Sequence, residues 1–461
     1  MKRLFRIVLI LLFPFYVSSK SSLLYSSFNS SLVVTDSIQN FRIAPQFLIN
    51  SYLDNNSNFY NTNLIGLKLD LNVMKKLKII ASYDNLRGNF NSQIVNFQDS
   101  LGFFYPGFGL DRNRIQFNIK YLENRFISID AGIGRHSIGY GYQSLLLSDL
   151  GASYPYFKIN TAFGPIKYYN LYTTFINPNM IDFGRKKHAT IHYLDFAFTE
   201  KIHFGIFEAI LWQSKSEKIY KGYEFAYLNP IIFYRPVEFS QHSSKGNALM
   251  GISFNVMFSN LMFYSQFLLD DLNISRQKDR DDNYQEGFFQ NKYGYQLGFK
   301  GKSNKIKYLI EYNQVQPYTY GHRTILQNYS HFNQALAHPL GANFKEFINI
   351  MELRRRKITY TLKTIYTTVG LDSLHTHYGQ NIFESDTLAS TGGQYSYGNY
   401  NGQGVNTNIF SIKTEISLKL KWFDIYASVY YKKKSSNLLN QNSFFYLLGI
   451  RNFSFSIFQD Y

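Results

Sequence analysis

From about residue 40 to the C-terminus, apolar and polar residues take turns along the chain in run after run. In 114–121, Ile115, Phe117, Ile119 and Tyr121 interleave with Arg114, Gln116, Asn118 and Lys120. In 292–300, Tyr293, Tyr295, Leu297 and Phe299 interleave with Lys292, Gly294, Gln296, Gly298 and Lys300. In 409–419, Phe410, Ile412, Thr414, Ile416 and Leu418 interleave with Ser411, Lys413, Glu415, Ser417 and Lys419. A period of two is the mark of a strand with one apolar and one polar face. A soluble sandwich alternates as well, but it does not need so many long strands. With 43 Phe, 39 Tyr and only 17% charged residues, the chain is too aromatic to be disordered and too poor in charge for an ordinary soluble protein. A mean hydropathy of −0.24 argues against membrane helices. The expected fold is all-β: a transmembrane antiparallel barrel, apolar residues toward lipid and polar residues toward the lumen.

The connections between strands alternate in length. Short turns are expected at 74–76, 123–124, 164–165, 199–201, 259–260, 301–304, 355–356 and 420–421. Long connections are expected at 50–62, 87–111, 135–155, 177–187, 213–246, 270–290, 315–345, 369–407 and 432–443. Together they imply about 18 strands, with short turns on the periplasmic side and both termini there. Phe453, Phe455, Ile457 and Tyr461 fit one face of a closing strand.

Residues 1–19 read as a signal peptide, with Lys2, Arg3 and Arg6 ahead of the apolar run Ile7 to Val17 and small residues at Val17-Ser18-Ser19. The apolar run is shorter than the ~20 residues of a spanning helix. The expected organisation is a signal peptide at 1–19, a Ser-rich periplasmic lead-in at 20–39 and an outer-membrane barrel over 40–461, the protein being exported and the signal cleaved.

Chemistry is sparse. The absence of cysteine excludes disulfides, thiolate metal sites and a cysteine nucleophile. There is no G-x-S-x-G, no H-E-x-x-H and no phosphate-cradling loop, so no enzyme, cofactor or metal is expected. His188 and His192 are four apart, a ligand spacing on a helix, but on a strand they share a face ~13 Å apart. His375 and His377, or His322, His331 and His338, match no metal pattern. A hydrolytic barrel remains a remote alternative. The net charge of +17 suits acidic surface glycans or lipopolysaccharide phosphates rather than nucleic acid at this location. Lys75, Lys76, Lys201, Lys302, Lys305, Arg354, Arg355, Arg356 and Lys357 sit at short turns, where charge keeps a strand end in water, while Lys432, Lys433 and Lys434 are expected in an outer loop.

Several loop motifs occur in order: Gly134-Arg135-His136-Ser137-Ile138-Gly139-Tyr140-Gly141-Tyr142-Gln143-Ser144-Leu145-Leu146-Leu147-Ser148-Asp149, Tyr227-Leu228-Asn229-Pro230, Phe233-Tyr234-Arg235-Pro236-Val237-Glu238, Pro317-Tyr318-Thr319-Tyr320 and Ala337-His338-Pro339-Leu340-Gly341. Over 134–344 the chain resembles the gliding motility RemB and Wzi-like capsule-assembly barrels of Bacteroidetes. The resemblance implies an eighteen-stranded barrel, as the connections do. It also implies a non-catalytic protein that binds or anchors surface polysaccharide and supports gliding motility or capsule assembly, with outer-membrane lipid and other motility or surface-assembly proteins as partners. Tyr140 stands where the resemblance implies an acid.

The residues suggest their own reading of these loops. Tyr142, Asn229, Arg235, Tyr318 and Tyr320 offer stacking faces, amide bonding and a planar cation, the groups that recognise a polysaccharide. Arg135 and Asp149, like Arg235 and Glu238, are spaced to tie their loops. Long Gly- and Pro-marked loops at 213–246 and 315–345 are expected to fold inward and close the lumen. The alternative is an outer-membrane porin or specific channel, which needs a water path through the lumen.

Overall fold

The computed structural model describes residues 32–36, 39–74, 76–89, 112–122, 126–181, 184–215, 222–223, 225–228, 246–272, 287–373, 376–386, 397–452 and 460. The signal-peptide assignment lies outside these residues. Eighteen strands form the wall. They are β1 (Gln39–Asp54), β2 (Phe59–Met74), β3 (Leu77–Asn89), β4 (Arg112–Leu122), β5 (Ile127–Gly134) and β6 (Tyr154–Phe163). Next come β7 (Ile166–Ile176), β8 (Lys186–Ala197), β9 (Ile202–Gln213), β10 (Asn247–Phe258), β11 (Leu261–Asp271) and β12 (Lys292–Lys302). The wall ends with β13 (Ile306–Val315), β14 (Phe344–Arg355), β15 (Ile358–Leu371), β16 (Val405–Lys419), β17 (Asp424–Ser435) and β18 (Asn440–Arg451). Each pairs antiparallel with its neighbours in sequence, and β1 closes the barrel on β18 from Leu48↔Arg451 to Asp54↔Phe445. Over that register closure pairs the two edges of the wall, which a membrane demands.

Alternation follows the wall. On β4 the residues Ile115, Phe117, Ile119 and Tyr121 are exposed on the outside, while Arg114, Gln116, Asn118 and Lys120 turn into the lumen. Ile65 is 72% and Leu448 68% exposed, values that fit side chains bathed in lipid rather than packed in a core. Aromatics such as Phe163, Phe198 and Trp422 stand exposed beside the short turns, as an interfacial girdle does.

The short turns fall where the alternation places them. Two connections expected to be long are instead tight hairpins, between Asp54 and Phe59 and between Ser435 and Asn440. In the first, Asp54 accepts the Asn56 and Asn58 amides at 2.8 and 2.9 Å, an aspartate-nucleated turn, and Ser57 takes a left-handed φ of 61°. In the second, β17 runs on through Lys432, Lys433 and Lys434. Those lysines are therefore wall residues, with Lys432 and Lys434 turned inward, and not an outer loop. Leu32–Asp36 also forms a strand, paired with Gln39 to Ile43, within the stretch expected to be a plain lead-in.

One sector inverts the expected polarity. On β8 and β9 the inward set is Ala189, Ile191, Tyr193, Phe207, Ala209 and Leu211, while His188, Thr190, His192 and Glu208 face outward. The described part of 213–246 accounts for part of this, because it lies on the outer wall and not over the mouth. Thr190 Oγ1 donates to Tyr227 O at 2.8 Å, Trp212 Nε1 donates to Gly222 O at 3.1 Å, and Tyr223 Oη donates to Thr173 O at 3.1 Å. Ile210, Trp212 and Tyr227 form a buried cluster there. The expectation that this loop plugs the lumen is corrected for those residues.

Candidate functional site

The lumen is the one place where a barrel wall can meet a solute, and here its two sides differ. Against β6 to β11 it is filled by the loops 135–153 and 316–343. Leu145, Leu146 and Leu147 are fully buried, and they pack with Tyr154, Leu171, Ile191, Phe207, Leu249, Tyr320, Tyr329 and Leu340 in one continuous apolar cluster. Complete burial of each leucine contributes about 1.5–3 kcal/mol. This interior resembles the core of a soluble domain, and it explains why the inward residues of β8 and β9 are apolar.

The inserted loop is also held by its backbone. A row of inward polar side chains crosses the wall in register: Gln266 opposite Gln296, Gln296 opposite Asn313, and Asn313 opposite Glu346. Gln266 accepts the Leu145 amide at 2.9 Å and donates to Ile138 O at 3.1 Å. Gln296 donates to Gln143 O at 2.9 Å. One turn of the pleat away, Glu311 accepts the amides of Tyr142 and Gln143 at 2.6 and 3.0 Å, and the Tyr264 hydroxyl at 2.8 Å. Lys300 Nζ donates to Tyr140 O at 2.6 Å. A buried peptide group must find a partner, and here the wall supplies one at residues 138, 140, 142, 143 and 145. Gly139 and Gly141 are there because the wall comes so close. A Cβ on Gly141 would run into the Glu311 carboxylate and the Gln296 carbonyl, and Gly139 carries a φ of 115° against Gln266.

Of the sequence-selected residues, Tyr318 and Tyr320 take up packing roles. Tyr318 and Tyr320 are buried, with left-handed φ of 64° and 68°; the Tyr318 hydroxyl donates to His377 O at 3.1 Å and the Tyr320 hydroxyl to Leu145 O at 2.8 Å. Tyr142 reaches into the lumen, where its hydroxyl donates to Asp460 at 2.7 Å. Arg135 makes no ion pair with Asp149; its Nε is buried without a hydrogen-bond partner. Asn229, Arg235 and Glu238 lie outside the described residues. His188 and His192 share the outward face of β8, His338 pairs with Glu346 at 2.8 Å, and His377 pairs with Asp372 at 3.0 Å. Among the described residues no group of three metal-ligating side chains converges.

The other side of the lumen is different. The inward residues of β1 to β5 and β15 to β18 include Lys68, Lys120, Lys363, Lys413, Lys434 and Arg451, all partly accessible. The acids on the same wall are mostly tied to cations: Asp84 to Arg114 at 2.5 Å, Asp130 to Lys158 at 3.4 Å, and Glu415 to both Lys413 and Arg451 at 3.3 and 2.6 Å. Of these lumen cations sequence reasoning singled out only Lys434, and placed it in an outer loop. Their signal was present in the polar half of each alternating strand.

The outer loops are latched by charge. Lys292 Nζ donates to Asp386 at 2.7 Å and to Gly321 O at 3.2 Å, and Asp270 accepts the Tyr320 amide at 2.7 Å. Burial and the neighbouring Lys292 push the His322 imidazole down to about 4, so it is neutral at pH 7. Burial opposes the Asp386 charge, but Lys292 outweighs it and holds the carboxyl below its usual range.

No family model and no curated protein matches this sequence. Solved structures similar to it include Pseudomonas aeruginosa OprD, 8% identical with a TM-score of 0.47 over 94% of this chain and 100% of that one. Pseudomonas aeruginosa OccK2 (OpdF) is 6% identical, with a TM-score of 0.47 over 90% of this chain and 96% of that one. Pseudomonas aeruginosa OpdK, solved with vanillate, is 6% identical, with a TM-score of 0.47 over 90% and 98%. At this distance the likeness concerns barrel architecture. These findings overturn the expected kinship with RemB and Wzi-like barrels, since the similar structures are OprD and Occ proteins and no family model matches. The role in polysaccharide anchoring, gliding or capsule assembly falls with it. The physical reason is visible in the motifs that suggested it. Gly139, Gly141, Gln143 and Tyr320 are fitted to seat loops in this lumen, a packing demand that carries no information about a glycan.

Proposed function

We propose that the chain is an outer-membrane channel that passes small solutes and favours anions. The observation that carries this reading is the asymmetry of the lumen. One side is sealed by an apolar core, and the inward residues of the other include more lysines and arginines than acids, only part of them paired with acids of the wall. A bore narrowed by folded loops and lined by an excess of cations concentrates anions and turns away large solutes. Alternation of the wall and the aromatic rim support membrane insertion, and the N-terminal signal sequence supports export.

The test is the reversal potential of purified protein in planar bilayers under a KCl gradient. Anion preference is expected, together with low unitary conductance. Replacing Lys68→Glu and Lys120→Glu together should move the reversal potential toward cation preference. A protein that never conducts, or whose selectivity ignores these charges, would overturn the reading.

A further inference from the structure

We propose that the outer wall at the barrel seam binds a phosphate-bearing lipid of the outer leaflet. An acyl chain lies in a groove across β16, β17, β18 and β1, and the phosphate meets Lys433 at the rim. The site is on the lipid side of the wall and does not depend on whether the lumen conducts.

The groove comes from small side chains set among large ones on the outward face. Two adjoining register rows line it. One runs through Thr414, Val429, Tyr446 and Leu53, with Phe59 opposite Leu53; the other runs through Ile416, Ala427, Leu448 and Ser51. Ile416, Tyr446 and Leu448 are exposed and project from the wall, whereas Thr414, Ala427 and Ser51 leave it low between them. Ser428 and Leu447 turn their side chains to the lumen, so their backbone forms part of the floor. The hollow measures about 490 Å³ and its lining is almost wholly apolar. The wall behind it is braced. Tyr52, Tyr426 and Leu447 form a buried cluster on the lumen side, the Tyr426 hydroxyl donates to Asn50, and the Arg451 guanidinium lies 4.1 Å from the Tyr426 ring centroid. A groove formed in advance receives an acyl chain without first having to be ordered.

An apolar groove alone would suit any lipid tail. The charge above it selects the headgroup. β17 runs from the short turn that carries Trp422 to the outer hairpin at Ser435, and Val429, Tyr431 and Lys433 follow one another on its outward face. Lys433 is thus ~13 Å beyond Val429 along the strand. Between them is an aromatic level: Tyr431 and Phe444 have ring centroids 4.5 Å apart, and Phe410 is 6.4 Å from Tyr431. Such a level marks where acyl chains give way to headgroups. Lys433 is exposed, and among the described residues it is the one charged side chain on the outward face of β15 to β18. Asn442 stands opposite it in register and accepts the Tyr431 hydroxyl at 3.4 Å through its side-chain oxygen, so its amide nitrogen can donate beside the ammonium. An ammonium and an amide above an apolar groove complement a phosphate joined to acyl chains. A second copy of the barrel is the poorer occupant, because the same face of a partner would bring no acid to Lys433.

The experiment uses the full-length protein folded in detergent, with lipid A as the probe and its dephosphorylated form as the control, read by native mass spectrometry. Folding of each variant is checked by heat-modifiable electrophoretic mobility; the substituted side chains all face outward, away from the lumen core. Lipid A should be retained severalfold more than the dephosphorylated form. Lys433→Gln should lower its retention about fivefold, while Lys433→Arg keeps it. Ala427→Leu fills the floor of the groove and should lower retention of both forms. Lys345→Gln, at an exposed outward lysine on β14 away from the groove, should change nothing. Retention that ignores Lys433→Gln or Ala427→Leu, or that falls equally with Lys345→Gln, would overturn the proposal. So would a dimer of the native protein that Ala427→Leu dissolves, since the groove would then belong to a second copy.

Discussion

Glu311→Ala is the sharpest probe of how the inserted loop is held. The carboxylate accepts two buried backbone amides, those of Tyr142 and Gln143, and the Tyr264 hydroxyl. Leaving a buried amide without an acceptor costs about 1–3 kcal/mol, so the two together cost about 2–6 kcal/mol. The anchor beside them is stronger. Leu145, Leu146 and Leu147 contribute about 4.5–9 kcal/mol by burial at about 1.5–3 kcal/mol each. Their peptide groups keep independent bonds from Gln266, Tyr320 and Tyr329. The loss should therefore stay local. Amide hydrogen exchange at 141–144 should accelerate by about ten- to a hundredfold per amide, at 1.4 kcal/mol per decade, while 145–147 keep their protection. The barrel should still insert, because the pairing of β13 with β12 and β14 is unchanged. Unaltered exchange at Tyr142 and Gln143 would show that Glu311 does not hold the loop. Release of the whole segment 135–153 would show that the leucine anchor has been overvalued.

Three further outcomes follow from the same geometry. Gly141→Ala puts a Cβ against the Glu311 carboxylate and Gln296, so it should displace the loop tip and raise protease access at 138–144 in an inserted barrel. Lys187→Met removes the donor to Asn328 O and its side chain at 2.7 and 2.5 Å and to Ser330 at 2.9 Å, and should loosen 325–331 by about 1–3 kcal/mol in hydrogen exchange. The His322 contribution to the 316–343 latch, read as the difference between the native protein and His322→Gln, should weaken with acid. His322 titrates lower in place than when released, so the released loop binds more protons, and stability falls from pH ~6.5 to about 4 before levelling. Lys292 and Arg323 oppose that proton and Asp386 favours it, while Lys292 keeps Asp386 charged through most of the window. Protease sensitivity of this loop at pH 4.5 against 7.5 measures the effect; His322→Gln should flatten the slope, and an unchanged slope would remove His322 as its source.

The wall was legible because a membrane barrel is written twice, once in the period of two and once in the alternation of turn lengths. Ile115, Phe117, Ile119 and Tyr121 needed no tertiary information to be read as one face. What alternation does not say is which face looks outward. On β4 lipid claims the apolar set, and on β8 and β9 the lumen claims it, yet Ala189, Ile191 and Tyr193 alternate just as regularly with His188, Thr190 and His192. The inversion depends on long-range partners: Leu145 to Leu147 arriving inside, Tyr223 and Tyr227 arriving outside. A clue did exist, since a strand that presents His192 and, on its neighbour, Glu208 to lipid would bear a heavy desolvation cost. Read that way, polar residues on the expected lipid face predict a covered wall, and an apolar inward face predicts a filled lumen behind it. The seat of the loop was hidden for a related reason. Gln266, Gln296, Asn313 and Glu346 are unremarkable polar residues one by one and become a cradle only when strand register lines them up. Register depends on the pairing of strands that are far apart in sequence, and motif spacing along one strand does not contain it. The same limit made Tyr318 and Tyr320 look like a surface. Tyrosines in a Gly- and Asn-rich loop suit a sugar or a core equally well, and the left-handed backbone and buried hydroxyl bonds of these two decide for the core.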